Sequence, residues 1–208
     1  MSKPIVVTVP CPFHLMGVML EGFHSRELQK TKQKMMENSS RFNRGLDRLT
    51  KDLTDYCILH IEAGADAILL REPSAGYLSR DEYKQTVHPR ITALLTRLSK
   101  VDVTTIYYAT RSAPFFDLHA TSGADVIYPD HTISLRQALD WAPEPISVMG
   151  DIDPNILLSD EDVMDSRIDE GIEHGREFPF HIFSTGAPLL QNTDLSAVRH
   201  MVKRIHTV

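Results

Sequence analysis

The sequence has little cysteine, no long apolar run and no excess of positive charge. Cys11 and Cys57 are the two cysteines, and neither belongs to a CxxC pair. A disulfide framework is therefore excluded, and a reducing, cytoplasmic setting is expected. No apolar run approaches the roughly 18–20 residues of a membrane span. The 22 Lys plus Arg against 28 Asp plus Glu give a net charge of -6, which argues against a nucleic acid or an anionic membrane as partner.

Several catalytic signatures are also missing. The histidines show neither HxH nor HExxH spacing, so no metal site is predicted. No glycine-rich phosphate loop follows the first apolar run, which disfavours a dinucleotide-binding fold, and no serine nucleophile elbow is present. The N-terminal residues Met-Ser-Lys-Pro lack the apolar core of a signal peptide.

What the sequence does contain is a repeated order of short apolar run, polar loop and amphipathic stretch. Six runs predict strands at residues 4–9, 65–70, 103–108, 124–128, 146–149 and 180–184. The other stretches predict helices at about 26–63, 80–98, 115–121, 135–141, 160–173 and 195–205. Continuous apolar strands without alternation are typical of parallel strands covered on both faces. We therefore predict one α/β domain over residues 1–208.

Six such units form either an open doubly wound sheet or a barrel segment. Two near-duplicate segments, Glu62–Asp66 and Thr121–Asp125, each place a glycine at a helix end just before a strand. Repetition of one unit is how a barrel is built. The predicted fold is therefore an incomplete TIM-type (β/α) barrel of about six parallel strands.

Polar residues follow each predicted strand. Because the carboxyl ends of barrel strands converge on one face, these residues are the candidate site. They are His14, Arg71, Glu72, Thr110, Arg111, Asp130, His131, Asp151, Asp153, Ser184 and Thr185. Two arginines among carboxylates at one mouth suit a polyanionic or polycarboxylate ligand, because Arg binds carboxylates bidentately and Asp accepts N–H groups.

Most of these residues also have a structural interpretation. His14 is flanked by apolar residues and fits a loop histidine, while Arg71 and Glu72 fit an ion pair at the barrel rim. Asp130 fits a helix cap as well as a ligand contact. Asp151 has no such structural duty and is the better functional candidate.

Several segments, in order from about Pro4 to the C-terminus, resemble motifs of the uroporphyrinogen decarboxylase superfamily. That superfamily also holds cobalamin-dependent methyltransferases. The segments are Pro12–Met16 with Leu20–Gly22 and Ser25 (family P-W-T-L…M-V-E-G…S), Glu62–Ala67 and Ala75–Ser79 (AGADA…AGYLS), Thr121–Ile127 with Asp130 and Thr132 (TGADVIGLDWT), Gly150–Pro154 with Leu157 and Leu158 (GN[LM]DP…LL) and His181–Phe183 with Gly186 (HIFNLGHG).

The resemblance implies strands 3–8 of a (β/α)8 barrel whose mouth binds a tetrapyrrole polycarboxylate and needs no cofactor for decarboxylation. The family's N-terminal segment, with two substrate-binding arginines and the catalytic aspartate, has no counterpart here. The family's active-site tyrosine, serine and late histidine fall on Val18, Pro73 and Ala187. A decarboxylase must protonate a pyrrole and stabilise the resulting cation beside a carboxylate. We therefore expect no competent decarboxylase from this chain alone.

The methyltransferase branch is also matched incompletely. Its zinc ligands follow an HxC pattern, with a later cysteine near Gly186. The corresponding residues here are Tyr108-Ala109-Thr110 and Gly186-Ala187-Pro188, which supply no thiolate.

Three hypotheses follow. In the first, the chain binds a tetrapyrrole or corrinoid-like ligand, with Arg111 on its carboxylates. The ligand-binding candidates are Arg111, Glu72, Arg71 and His14, and the catalytic candidates are Asp130, His131 and Asp151. In the second, the chain is a non-catalytic subunit, since two unpaired strand edges invite a homodimer or a complementary chain. In the third, Glu72, Asp130 and His131 act as acid–base groups of a different enzyme.

Overall fold

Six parallel strands form one open sheet in the computed structural model, which describes residues 3–23, 25, 27–150 and 152–207. The strands are β1 (Val6–Pro10), β2 (Ala67–Glu72), β3 (Thr104–Ala109), β4 (Val126–Pro129), β5 (Ser147–Met149) and β6 (His181–Ile182). They lie side by side in chain order, from β1 to β6. A doubly wound sheet reverses its strand order, whereas a barrel does not. The predicted incomplete TIM-type barrel is thus confirmed.

Helices connect and cover the strands. They are α1 (Pro12–Glu21), α2 (Gln29–Glu37), α3 (Ser39–Glu62), α4 (Arg80–Glu82), α5 (His88–Leu98), α6 (Phe116–Ala120), α7 (Leu135–Trp141), α8 (Glu161–Gly175) and α9 (Leu195–Ile205). Short 3₁₀ turns occupy Ala75–Tyr77, Ala113–Phe115 and Pro154–Leu158. Within the described residues, none of the helices combines the length and apolar character that crossing a bilayer requires.

The sheet separates two layers of side chains. On the helix-facing side, Ile68 and Leu70 of β2 pack with Leu46 of α3 and Leu94 of α5 in the main core. Alternate residues project from the opposite face, which we call the inner face. It carries a smaller apolar cluster of Leu69, Ile106, Tyr108, Val126, Tyr128, Met149 and Ile182.

The two near-duplicate junctions adopt the same structure. Gly64 and Gly123 have φ values of 101° and 95°, which favour glycine. The aspartate two residues later holds the start of the preceding strand in each case. Asp66 accepts the N–H of Ile5 at 2.7 Å, and Asp125 accepts the N–H of Thr105 at 2.7 Å.

The helix predictions differ from the structure in three places. The helix predicted over 26–63 is divided at Asn38, whose side chain caps α3 by accepting the N–H of Arg41 at 3.1 Å; its predicted start, Arg26, lies outside the described residues. In the helix predicted over 80–98, Tyr83–Val87 forms a π-helical turn. Pro89 follows it and cannot donate an N–H, which interrupts the regular hydrogen-bond series. Helix α1 was not predicted.

Candidate functional site

Two adjoining cavities open on the inner face near the carboxyl ends of β1 to β4. The tyrosine cavity, of about 330 Å³, is lined by Thr8, Leu69, Arg71, Tyr108, Tyr128, Thr185, Ala187, Pro188 and Leu189. The histidine cavity, of about 370 Å³, is lined by Thr8, Pro10, His14, Arg71 and Pro73. Thr8 and Arg71 belong to both, so the two cavities share one wall.

Arg71 is the charged residue at that shared wall. Its guanidinium carbon lies 5.3 Å from the centroid of the Tyr108 ring, a cation–π distance. Within the described residues it has no carboxylate partner at ion-pair distance, unlike seven of the twelve other described arginines. The guanidinium therefore keeps its capacity to bind an anion.

Tyr108 and Tyr128 line the tyrosine cavity together with Leu69. The ring centroids of the two tyrosines are 4.8 Å apart. Burial raises the pKa of Tyr108 to about 12, with a smaller contribution from the negative charge of Asp130, while Arg71 opposes the shift. Burial also raises the pKa of Tyr128, whose hydroxyl hydrogen-bonds Ser184 Oγ at 3.2 Å. Both phenols are thus neutral hydrogen-bonding groups at ordinary pH.

His14 stands in the first turn of α1, between the histidine cavity and the loop after β2. Its Nδ1 lies 2.8 Å from the hydroxyl of Ser74, which is buried. Its backbone N–H donates to Glu72 Oε2 at 3.1 Å. The backbone and the ring of His14 are therefore held by the last residue of β2 and by the loop that follows it, respectively.

Glu72 lies behind this wall, on the helix-facing side of β2. Its side chain has no exposed surface and accepts the N–H groups of His14 and Ser74. Burial raises its pKa to about 8, although these hydrogen bonds and one from Ala75 act in the opposite direction. The carboxyl group joins the first turn of α1 to the loop after β2.

Asp130 organises the loops that follow β3 and β4. Its Oδ2 accepts the N–H of Arg111 at 2.7 Å, and its Oδ1 accepts the hydroxyl of Thr132 at 2.5 Å. Arg111 has a positive φ of 50°, and this hydrogen bond holds that backbone. Its guanidinium carbon lies 5.5 Å from the centroid of the Tyr77 ring, away from the residues that line the two cavities.

His131 lies at the contact between the β4 and β6 loops. Its N–H donates to Gly186 O at 3.3 Å, and a Cβ on Gly186 would come within 2.4 Å of His131 N. Its Nδ1 is buried without a hydrogen-bond partner among the described residues. Asp153 caps the following 3₁₀ turn by accepting the N–H of Asn155 at 2.9 Å. Asp151 lies outside the described residues.

The structure brings His14 and Arg71 to the histidine cavity and Thr185 to the tyrosine cavity. Glu72 is buried at the end of β2, and Arg111, Asp130 and His131 lie in the loops that follow β3 and β4. Sequence reasoning missed Tyr108, Tyr128 and Ser74. It considered residues after the strands, whereas the tyrosines lie within β3 and β4. Alternation with Ile106 and Val126 would have placed both rings on the inner face.

Two of the positions that differ from the family pattern line the cavities. Pro73 belongs to the histidine cavity and Ala187 to the tyrosine cavity. Neither side chain can donate or accept a proton. Among the described residues, no three His, Cys, Asp or Glu side chains come together in a way that could hold a metal ion.

Comparison with known proteins identifies relatives over almost the entire chain. The family model "Uroporphyrinogen decarboxylase (URO-D)" matches residues 2–208. Uroporphyrinogen decarboxylases from Koribacter versatilis and Chloroflexus aurantiacus are 29% and 32% identical, over 98% of this chain and 58% and 59% of their own lengths. The chain therefore spans about three fifths of these relatives.

A solved structure shares the fold. A methyltransferase from Methanosarcina mazei matches all of this chain and 59% of its own, with a TM-score of 0.82 at 17% identity. Because the family model covers nearly every residue, the resemblance seen in the sequence motifs is confirmed, and the chain belongs to the uroporphyrinogen decarboxylase family.

Proposed function

We propose that this family member binds a tetrapyrrole polycarboxylate in the tyrosine and histidine cavities, without being a competent decarboxylase on its own. The observation that carries the proposal is Arg71, a guanidinium at the wall of both cavities with no ion-pair partner among the described residues. Arg binds carboxylates in a planar fork. The rings of Tyr108 and Tyr128 offer an apolar surface to the body of such a ligand.

The lack of decarboxylase activity is proposed from the cavity lining. Decarboxylation of a pyrrole acetate needs a proton donor and a carboxylate that stabilises the cation. Pro73 and Ala187 supply neither, and no carboxylate lines either cavity within the described residues. Asp130, His131 and Asp151 remain the candidate catalytic residues, with Arg111 as a further ligand-binding candidate. Glu72, predicted to bind the ligand, is instead buried behind β2, where it accepts backbone N–H groups.

Binding of uroporphyrin, followed by fluorescence quenching, tests the proposal. Arg71→Ala is expected to weaken binding by roughly tenfold or more, since a charged hydrogen bond contributes about 1.5–3 kcal/mol and about 1.4 kcal/mol is tenfold. Arg97→Ala is the matched control, because Arg97 is exposed on α5 and lies 3.8 Å from Asp55.

The outcomes are distinct. No quenching at high micromolar uroporphyrin, or equal affinity of the wild type and Arg71→Ala, contradicts the binding proposal. Release of CO₂ from uroporphyrinogen by the purified chain contradicts the proposal that the chain alone is not a competent decarboxylase. Cobalamin in the same assay tests the corrinoid-like alternative.

A second candidate role concerns the sheet edges. Among the described residues, β1 pairs only with β2, and β6 pairs only with β5. Ile5 and Val6 at one edge are 58% and 48% exposed, and Phe180 beside β6 is 56% exposed. Unpaired edges with apolar side chains favour association. We propose that a second copy of this chain, or a chain with further β/α units, covers the edges at β1 and β6. A monomeric mass in light scattering at micromolar concentration contradicts the homodimer.

A further inference from the structure

Arg71 and Tyr108 are neighbours across two paired strands. Their Cα atoms are register partners in the parallel pairing of β2 with β3. On the side of β1, Arg71 O accepts the N–H of Cys11 at 2.9 Å. The strand pairing and this hydrogen bond fix the backbone of Arg71 from both sides. Only its side chain is therefore left with conformational freedom.

The ring of Tyr108 limits the freedom of that side chain. The residue is 3% exposed, and its ring centroid lies 5.3 Å from the Arg71 guanidinium carbon. An aromatic face attracts a guanidinium group and allows it to stack. The Tyr128 ring packs on Tyr108 at a centroid distance of 4.8 Å and keeps it in place. Tyr108 is therefore placed to orient the planar fork of Arg71 rather than to offer a large surface to a ligand.

The loop after β6 forms another wall of the tyrosine cavity. The Tyr128 hydroxyl donates to Thr185 O, and Thr185 also pairs with Ile152 in a parallel bridge. This loop is thus tied to β4 and to the segment that follows β5. Three apolar side chains complete this part of the lining: Leu69, Pro188 and Leu189. The cavity therefore has an apolar side that is held by the neighbouring strands and loops.

Arg71 is the one charged side chain that lines the tyrosine cavity among the described residues. Asp130 is near enough for its charge to raise the pKa of Tyr108, after the larger effect of burial. Its carboxylate oxygens already accept the N–H of Arg111 and the hydroxyl of Thr132. The cavity therefore combines a single cationic fork with apolar walls.

We propose that the tyrosine cavity holds one planar ring that carries a carboxylate group, with Arg71 binding the carboxylate and Tyr108 as the positioning residue for Arg71. The volume of about 330 Å³ is near the lower limit for ligand pockets, about 300–1,000 Å³, and suits one ring of a larger ligand. The carboxylate accepts two parallel hydrogen bonds from the guanidinium fork. This subsite deepens the proposed function and rests on it for the identity of the natural ligand.

Three small probes test the subsite in NMR titrations of the intact chain. They are pyrrole-2-carboxylate, the neutral pyrrole-2-carboxamide, and acetate, which has no ring. Pyrrole-2-carboxylate is expected to bind roughly tenfold or more tightly than either of the others, because only it has both the charge and the ring. Arg71→Lys should lose most of this preference over the carboxamide, since an ammonium group cannot form the planar fork.

Tyr108 is tested by the ratio of the affinities for pyrrole-2-carboxylate and pyrrole-2-carboxamide. Tyr108→Leu, which removes the ring beside Arg71, is expected to lower this ratio several-fold, whereas Tyr108→Phe keeps the ring and should keep the wild-type ratio. A purely structural role would weaken both probes by the same factor and leave the ratio unchanged. Tyr56→Leu, at an exposed position of α3, is the matched control and should resemble the wild type.

Each result decides between the two proposals. Equal affinities for pyrrole-2-carboxylate and acetate, or an unchanged probe preference in Arg71→Lys, overturn the subsite. Equal weakening of both ring probes in Tyr108→Leu overturns the positioning role, and Arg71→Lys tests the carboxylate contact where Tyr108→Leu does not fold.

Uroporphyrin separates the subsite from the proposed function. Binding of pyrrole-2-carboxylate that depends on Arg71, without binding of uroporphyrin, supports the subsite and removes the tetrapyrrole. Binding of uroporphyrin that depends on Arg71, without any preference for pyrrole-2-carboxylate among the small probes, does the reverse.

Discussion

Glu72 shows how the position of one residue in a strand decides its role. Leu70 belongs to the helix-facing core, and Glu72, two residues later, shares that face. It lies in a buried environment that also raises the pKa of Cys11, through burial first and then through the charges of Glu72 and Cys57. The hydroxyls of Tyr83 and Tyr107 meet nearby, at 3.1 Å. This buried group of polar side chains is therefore stable only while it stays uncharged.

A pH prediction follows from Glu72. Its pKa is about 8 in the folded protein and near 4.5 when unfolded, so the folded state holds one more proton between these values. The free energy of unfolding should therefore fall as pH rises from about 5 to about 8, by several kcal/mol at about 1.4 kcal/mol per pKa unit.

Glu72→Gln isolates this effect, because its amide is neutral at every pH. Denaturant unfolding of both proteins across that range should give a stability difference that moves in favour of the variant as pH rises. Glu82→Gln, at a partly exposed helix start, is the control. A difference between the wild type and Glu72→Gln that does not change with pH would contradict the buried-acid interpretation.

At the scale of elements, a network of charged groups joins α9 to α8 beside the apolar contact of Met201 with Met164 and Ile168. Met201 is the one buried residue of α9 among those described, whereas Leu195 and Val202 are exposed. Arg204 bridges Asp165 and Asp169, with Nε 2.9 Å from Asp169 Oδ1. His200 contacts Asp165 at 2.6 Å as well. A network that joins several charges stabilises more than isolated surface pairs do.

Arg204→Ala should therefore loosen α9 while leaving the sheet intact. Amide hydrogen exchange is expected to become several-fold faster in α9, and added salt should reduce the difference between variant and wild type. Arg48→Ala removes a pair within α3 and is the control. Unchanged exchange in α9 would show that its apolar contacts alone hold it.

At the scale of the whole molecule, the open sheet predicts association through β1. Val6 lies on the inner face at the edge strand, two residues before Thr8 of the cavities. Val6→Lys places a charge there, and inward-pointing charges on edge strands oppose pairing. The variant should have a lower mass in light scattering than the wild type. Val163→Lys, on the exposed face of α8, is the control and should have the same mass as the wild type. Equal masses for Val6→Lys and the wild type would exclude β1 from the interface.

Helices α7 and α9, with both their ends, could be predicted because they depend on local patterns. The strand order followed from the repetition of one β/α unit. An apolar run or a Ser134 cap with its Gln137 partner specifies structure within a few residues. Helix α1 was missed because its start, Pro12, follows Pro10 and Cys11 and reads equally well as a loop.

What only the tertiary structure decided is which polar groups meet. From the sequence, Arg71 and Glu72 were equivalent neighbours at a strand end, and both were assigned to the ligand. The pleat of β2 places Arg71 on the inner face and Glu72 in the helix-facing core. Pairing of β2 with β3 then places Tyr108 beside Arg71. Such partners lie many residues apart, and burial by the whole fold, rather than any local pattern, determines whether each group is charged.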